Sequence, residues 1–138
     1  MDTQMMEMMS MTMPGTDMKL MQECIESCAA AEQACTMCAD SASGADGMAV
    51  MAGMCHNVCD MTNAMMRMLM RPQSQDVMST MKMLEATMLM CRACATQCQV
   101  GAHMSEAAKM CAQVCNNCAD ACEALMKSMA DGKMTLSY

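Results

Sequence analysis

Residues 91–122 read CRACATQCQVGAHMSEAAKMCAQVCNNCADAC, and the spacing of the seven cysteines in this stretch decides the architecture. Cys91, Cys94 and Cys98 follow one another at steps of three and four. Cys111, Cys115, Cys118 and Cys122 follow at four, three and four. Such steps return to one side of an α-helix, and no strand-like alternation of β-branched residues occurs. Gly101 breaks the run, and Ser105 with Glu106 supplies an N-cap and an acidic first turn for the next helix. Two helices joined by so short a loop run antiparallel.

The same grammar extends towards the N-terminus. Cys55 and Cys59 lie four apart, and Cys24, Cys28, Cys35 and Cys38 at steps of four, seven and three. Pro72 and the pair Gly44 and Gly47 mark the breaks, while Thr16 or Asp17, Asp46 and Ser74 stand at N-cap positions, with Asp76 in the turn after Ser74. Helices are expected over about 17–42, 47–71, 75–100 and 105–130, each roughly 37 Å long. The fold class is all-α, an up-down-up-down antiparallel four-helix bundle over 17–130. Residues 1–16 read as a Met-rich, disordered tail and 131–138 as a C-terminal tail.

Each set of cysteines falls within an arc of about 80° on its helix. One-sided stripes face a bundle core, and antiparallel packing brings all four to the end that carries the first and third loops. The expectation is a tube of thiols. Composition agrees: 13 Cys and 28 Met stand beside no Phe, no Trp and one Tyr, so sulfur fills the space that aromatic rings usually take. Thirteen cysteines cannot all pair, which argues against a disulfide scaffold. One or two core cysteines need no function; this many on inner faces do. Thiolate and thioether are soft ligands that select soft metals.

The runs Cys91-x2-Cys94-x3-Cys98 and Cys111-x3-Cys115-x2-Cys118-x3-Cys122 resemble those of the bacterial copper storage proteins, Cys-lined four-helix bundles of which some are exported and some cytosolic. The resemblance covers about residues 17–130. It implies that Cys pairs across and along the tube bind Cu(I), that the bundle forms a homo-tetramer, and that a histidine lies near the tube's entrance. The Met load and Met-rich tail depart from the pattern.

Charge arithmetic also favours Cu(I). One Cu(I) per thiolate is neutral, so a row of such units can sit in an apolar core. A Zn(II) held by four thiolates keeps about two negative charges, costly to bury without a cation. Lys19, Arg67, Arg71, Lys82, Arg92, Lys109 and Lys127 all lie about 100° or more from the Cys stripes. The ferredoxin run C-x2-C-x2-C-x3-C-P is absent. Five pairs at i and i+4 (24/28, 55/59, 94/98, 111/115 and 118/122) stand about 6 Å apart, within bridging reach of one ion.

Methionine is ordinarily a core filler, and Met65, Met66, Met70, Met81, Met88, Met126 and Met129 read as substitutes for Leu in the half without cysteine. Met18 and Met37 point outward. Met48 and Met51 continue the Cys55 stripe towards the first loop, and Met104 continues that of the last helix; the three are candidate weak ligands at the tube's entrance. His103, in the third loop, is a candidate access ligand. His56 lies about 100° off its stripe and reads as a surface residue. Met5, Met6, Met8, Met9, Met11 and Met13 form either a Cu(I) collector or a plain tail.

A formal net charge of -7 disfavours nucleic acid. No span of 18 uncharged apolar residues suits a membrane. Residues 1–15 lack a basic leader, which points to the cytoplasm, while the Met surplus suits a periplasm with a leader removed. No Ser–His–Asp set or phosphate loop appears, so no enzyme is expected. The reading is Cu(I) storage and detoxification; a copper metallochaperone, a general metallothionein-like sink for soft metals and a purely structural bundle are the rivals.

Overall fold

The computed structural model describes residues 2–12, 16–44, 46–101 and 105–135, with the backbone alone for 12 and 133–135. Its elements are α1 (Thr3–Thr12), α2 (Met18–Ala42), α3 (Ala49–Leu69), a 3-10 turn (Pro72–Ser74), α4 (Val77–Gly101) and α5 (Glu106–Thr135). Helices α2 to α5 form the bundle in up-down-up-down order: α2 packs on α3 and α5, and α4 packs on the same two.

The boundaries have local causes. Asp17 caps α2 by accepting from the backbone N–H of Lys19 at 3.1 Å and Leu20 at 3.2 Å. Gly44 and Gly47 take φ of 77° and 78°, a left-handed turn that glycine enters without a Cβ clash. Asp46 does not cap the next helix: Met48 occupies that position and makes no side-chain cap bond. Ser74 lies within the 3-10 turn, and Asp76 caps α4 by accepting from Ser79 N–H at 3.0 Å. Gln75 ties this loop together, donating to the Met68 carbonyl at 2.6 Å and accepting from the Thr80 hydroxyl at 2.7 Å. Ser105 Oγ accepts from Ala108 N–H at 3.2 Å at the start of α5.

Two terminal expectations change. Within the segment read as a tail, Thr3–Thr12 is a helix, started by Asp2 Oδ1 accepting from Met5 N–H at 2.8 Å. Ten residues are too few for a stable free helix. This one packs on α2 and the 3-10 turn and sends Met9 into the core, 2% exposed. At the other end α5 runs through Gly132 to Thr135, since Gly132 is not among the positive-φ glycines that would end the helix.

The core has two compositions. Towards the α2–α3 and α4–α5 loops it is cysteine, flanked by the buried alanines Ala34, Ala39, Ala42, Ala95, Ala108 and Ala112. Such small side chains let helix axes approach closely. Away from those loops the buried residues include Met9, Met21, Thr62, Met65, Leu69, Thr80, Leu84, Thr87 and Leu125. Thr62 and Thr87 donate to the Val58 and Met83 carbonyls at 2.7 and 2.8 Å, so their burial leaves no hydroxyl unmet. Of the methionines read as core here, Met65 is fully buried and Met66, Met81, Met88, Met126 and Met129 are half-buried. Met70, at the end of α3, is exposed. Met37 faces outward as expected, whereas Met18 is half-buried against the core.

Candidate metal centre

Twelve thiols are buried and all thirteen are free. Among the described residues they gather in two groups. Near the loop end, Cys35 approaches Cys111 and Cys115 at 3.5 Å each. Cys55 lies 3.8 Å from Cys94, 3.9 Å from Cys98 and 4.0 Å from Cys111. The pairs 94/98 and 111/115 close at 3.9 Å. Two quartets result, Cys35–Cys55–Cys94–Cys111 and Cys38–Cys55–Cys98–Cys111, each with its sulfurs within 4.8 Å of one another. Both contain Cys55 and Cys111, so they form one continuous patch of ligands.

The deeper group joins Cys24 to Cys122 and Cys28 to Cys118, both at 3.8 Å. Cys24, Cys28 and Cys122 lie within 4.8 Å of one another. Cys91 is fully buried on α4, and the Cys118 thiol is pushed up by its neighbours Cys122, Cys28 and Cys91.

Cys59 departs from the expected column. It is half-buried on the α2–α3 seam, with Sγ 3.4 Å from Thr36 Oγ1 and donating to the Glu32 carbonyl at 3.4 Å. It belongs to none of the three groups that lie within 4.8 Å. The buried stripe of α3 is Met51, Cys55, Val58, Thr62, Met65 and Leu69. Its centre lies about 80° from Cys59, which turns that thiol towards α2.

The thiols share their protons unevenly. Hydrogen bonds from Cys111 and Cys35 hold Cys55 down to about 4. Cys94 and Cys98 are lowered too, with Cys111 the leading donor for both. Cys111 itself is pushed up, first by its bond with Cys115 and then by those with Cys35, Cys55 and Cys94. In the deeper group Cys118 leads in lowering Cys122. Cys24 is raised by its bond to Cys122, with burial adding to the effect. Burial comes first in raising Cys38 and Cys59. A thiolate in such a network is solvated by its neighbours' S–H groups, and each further ionisation meets a charge already there.

The described basic side chains stay outside. Lys19, Arg67, Arg71, Lys82, Lys109 and Lys127 are exposed. Arg92 is half-buried and pairs with Asp120 at 2.7 Å, clamping α4 to α5. With no cation beside the column among the described residues, only a metal that neutralises each thiolate one for one can fill it without stranding charge. Bonds from thiolate to a soft metal are about 2.3 Å, so two sulfurs sharing an ion stand at most about 4.6 Å apart. The separations of 3.5 to 4.0 Å fit that demand after small rotations about χ1.

A family model described as copper storage protein matches residues 17–127. The chain belongs to the copper storage protein family. Copper storage proteins of Streptomyces lividans named Ccsp share the fold. One, loaded with 10 copper equivalents, superposes with a TM-score of 0.83 at 29% identity, over 89% of this chain and 98% of that one. A histidine-to-alanine mutant of Ccsp gives 0.80 at 30%, over 83% and 98%. A structure described as a cytosolic copper storage protein with five coppers gives 0.77 at 30%, over 79% and 93%. No curated protein matches. The storage bundle and its cargo, multiple copper ions, thus rest on sequence family and fold together.

At the loop end of this copper storage protein Met48 and Met51 are buried, 7% and 4% exposed, as the continued stripe requires. His103 and Met104 lie outside the described residues, as does Met13. His56 is exposed, as its angle predicts. The sequence reading passed over Thr36 and the Glu32 carbonyl, which hold Cys59, and took Gly101 as a helix break. α4 does end there: Gly101 is its last residue, and it is buried.

Proposed function

We propose that this protein stores Cu(I) in its core, with the twelve buried thiols as ligands and without catalysing a reaction. The observation that carries the reading is the pair of buried thiol groups with, among the described residues, no cationic side chain in the column. Each incoming Cu(I) replaces a thiol proton, or meets a thiolate already formed, and leaves the core neutral. Met48 and Met51, with His103 and Met104 of the sequence between α4 and α5, serve as the access ligands. Cys59 contributes at most a peripheral site.

Two further readings accompany it. The first is a cytoplasmic site of action, supported by the likeness to a storage protein described as cytosolic. The second is a homo-tetramer, supported by the outer face of α4, where Met78, Leu89 and Val100 are exposed along one stripe; light scattering tests it. The central test is anaerobic titration against a competing Cu(I) chelator. Bridging thiolates predict on the order of ten or more ions per chain. Saturation at one or two ions would leave a metallochaperone in place of a store. Equal uptake of Zn(II) would point to a general soft-metal sink.

A further inference from the structure

The family match begins at residue 17, so helix α1 (Thr3–Thr12) lies outside it. Every apolar residue of α1 is a methionine, and these form two rows that face different ways. Met6 is half-buried and Met9 is 2% exposed. This row docks the helix on α2 and the 3-10 turn, at the end of the bundle opposite Met48 and Met51. Met5, Met8 and Met11 follow one another at steps of three. The centre of this second row lies about 130° from that of the first. Exposure climbs along it from 41% to 62% to 84% as it winds away from the docked side. Docking needs one apolar face, and the outward face of a docked helix is ordinarily polar. The second row is surplus to packing.

Its chemistry says what it suits. Residues at i and i+3 have Cβ atoms about 5–6 Å apart. Rotatable bonds let methionine side chains swing, which brings paired sulfurs within the roughly 4.6 Å that one soft ion spans. Met8 belongs to both available pairs, Met5/Met8 and Met8/Met11. Thioethers bring no charge to offset a cation. Glu7, exposed and four residues before Met11, brings one on the same side of the helix.

We propose that Met5, Met8 and Met11 form a surface site for one Cu(I) ion, a labile position outside the thiol column and at the far end of the bundle from its loop end. The proposal rests on the storage reading for its cargo. Bound by neutral sulfurs at the surface, the ion is held less firmly than by thiolate and exchanges directly with carriers in solution. Sulfur–copper bonds form and break, no proton is released, and copper stays Cu(I) throughout.

The experiment uses the full chain, 13C-labelled at the Met methyl groups and titrated anaerobically with Cu(I) against a weak competing chelator. Once the tightly held ions have saturated, one further ion should bind. The methyl resonances of Met5, Met8 and Met11 should move in that step, and that of Met9 should stay. Met8→Leu keeps the helix and its apolarity, and should weaken this last step by at least about tenfold, the loss usual already for residues that only support a metal ligand. Met5→Leu and Met11→Leu each leave one pair intact and should weaken it less. Met37→Leu, at an exposed methionine of α2, should leave it unchanged. The number of tightly held ions should equal the parent's in all four variants. Fixed resonances in the row would overturn the proposal, as would a last step indifferent to Met8→Leu. Resonances that move with protein concentration and not with copper would also overturn it, since the row would then be a contact between copies of the chain. The tight ions are counted in the same titration. One or two of them would remove the storage reading, an outcome distinct from a silent α1.

Discussion

Around Cys55 and Cys111 the thiols of all four bundle helices meet, whereas the deeper group of Cys24, Cys28, Cys91, Cys118 and Cys122 draws on α2, α4 and α5 alone. The cause is α3, whose core stripe changes below Cys55 to Val58, Thr62, Met65 and Leu69. Copper near the loop end can therefore tie four helices together, and deeper copper only three. The deep half of α3 is held by packing whether or not metal is present. The column is graded in ligand density, and its richest part lies next to the buried thioethers.

The comparison is broken most directly by removing ligands. Cys55→Ala with Cys111→Ala takes a member from each quartet twice over and should abolish about half of the copper capacity. Cys24→Ala with Cys122→Ala should cost two or three ions at most, on the order of one per thiol with a neighbour orphaned. Chelator-competed titration reads both. Equal losses from the two pairs would show that the column fills as one chain and that the grouping of thiols has no consequence for storage.

Protons give the next largest contrast. A ligand held low competes with protons only as the pH falls towards its own value; one held high already carries its proton at neutrality. Near the loop end three thiols are held low, Cys55 at about 4 with Cys94 and Cys98, beside raised Cys35, Cys38 and Cys111, while the deeper group has one lowered member, Cys122, beside raised Cys24, Cys28 and Cys118. The first ions bound at pH 7 should thus release fewer protons than later ones, seen with an indicator in weakly buffered solution. Acidification should empty the deeper group first, and capacity should climb with pH. Proton release that stays constant through the titration would remove this difference between the groups.

The parts legible in the sequence share a physical trait: several residues report the same period. Four cysteines on α2 and four on α5 fix their inner faces by repetition, and Asp17 and Ser105 announce helix starts through bonds that need no distant partner. On α3 two cysteines alone could not locate the face, and only with Val58, Thr62 and Met65 does Cys59 fall off it. Helix α1 was hidden because six of the first thirteen residues after Met1 are identical methionines with no face of their own. Docking of Met9 stabilises it, and that is a tertiary contact. Gly101 has the composition of a loop start and the role of a close approach, which only the positions of Met48 and Met51 distinguish.

A smaller effect sharpens the same contrast by adding a ligand. Thr62 lies seven residues below Cys55 on the α3 stripe, as Cys28 lies seven from Cys35 on α2, and is fully buried. Thr62→Cys nearly conserves volume and removes a hydroxyl that bonds only its own helix. It gives α3 a thiol at the deep level. Capacity should rise by about one ion, and the loaded protein should melt higher than the loaded parent, since binding to the folded form alone is stabilising. An unchanged count would mean that the deep group is closed to a fourth helix by geometry and not by the lack of sulfur.

The smallest effect is expected at Cys59. Its thiol meets Thr36 and the Glu32 carbonyl on the seam where Asn63 also donates to the Glu32 carboxylate at 3.1 Å. These bonds fasten α2 to α3 beside the column. Cys59→Ala removes one S–H donor, but the Glu32 carbonyl keeps its bond from the Thr36 hydroxyl at 2.7 Å, so no acceptor is stranded. The expected loss of stability is about 1 kcal/mol or less, read as a small fall in the melting temperature of the metal-free protein. Copper capacity should stay within one ion of the parent's, in contrast to the neighbouring Cys55, four residues away on the same helix. Burial raises the Cys59 thiol, so at neutral pH it offers a proton and not a free thiolate to a passing ion. A fall of several ions in the Cys59 variant would place this thiol inside the column, and the seam between α2 and α3 would have to be counted as part of the store.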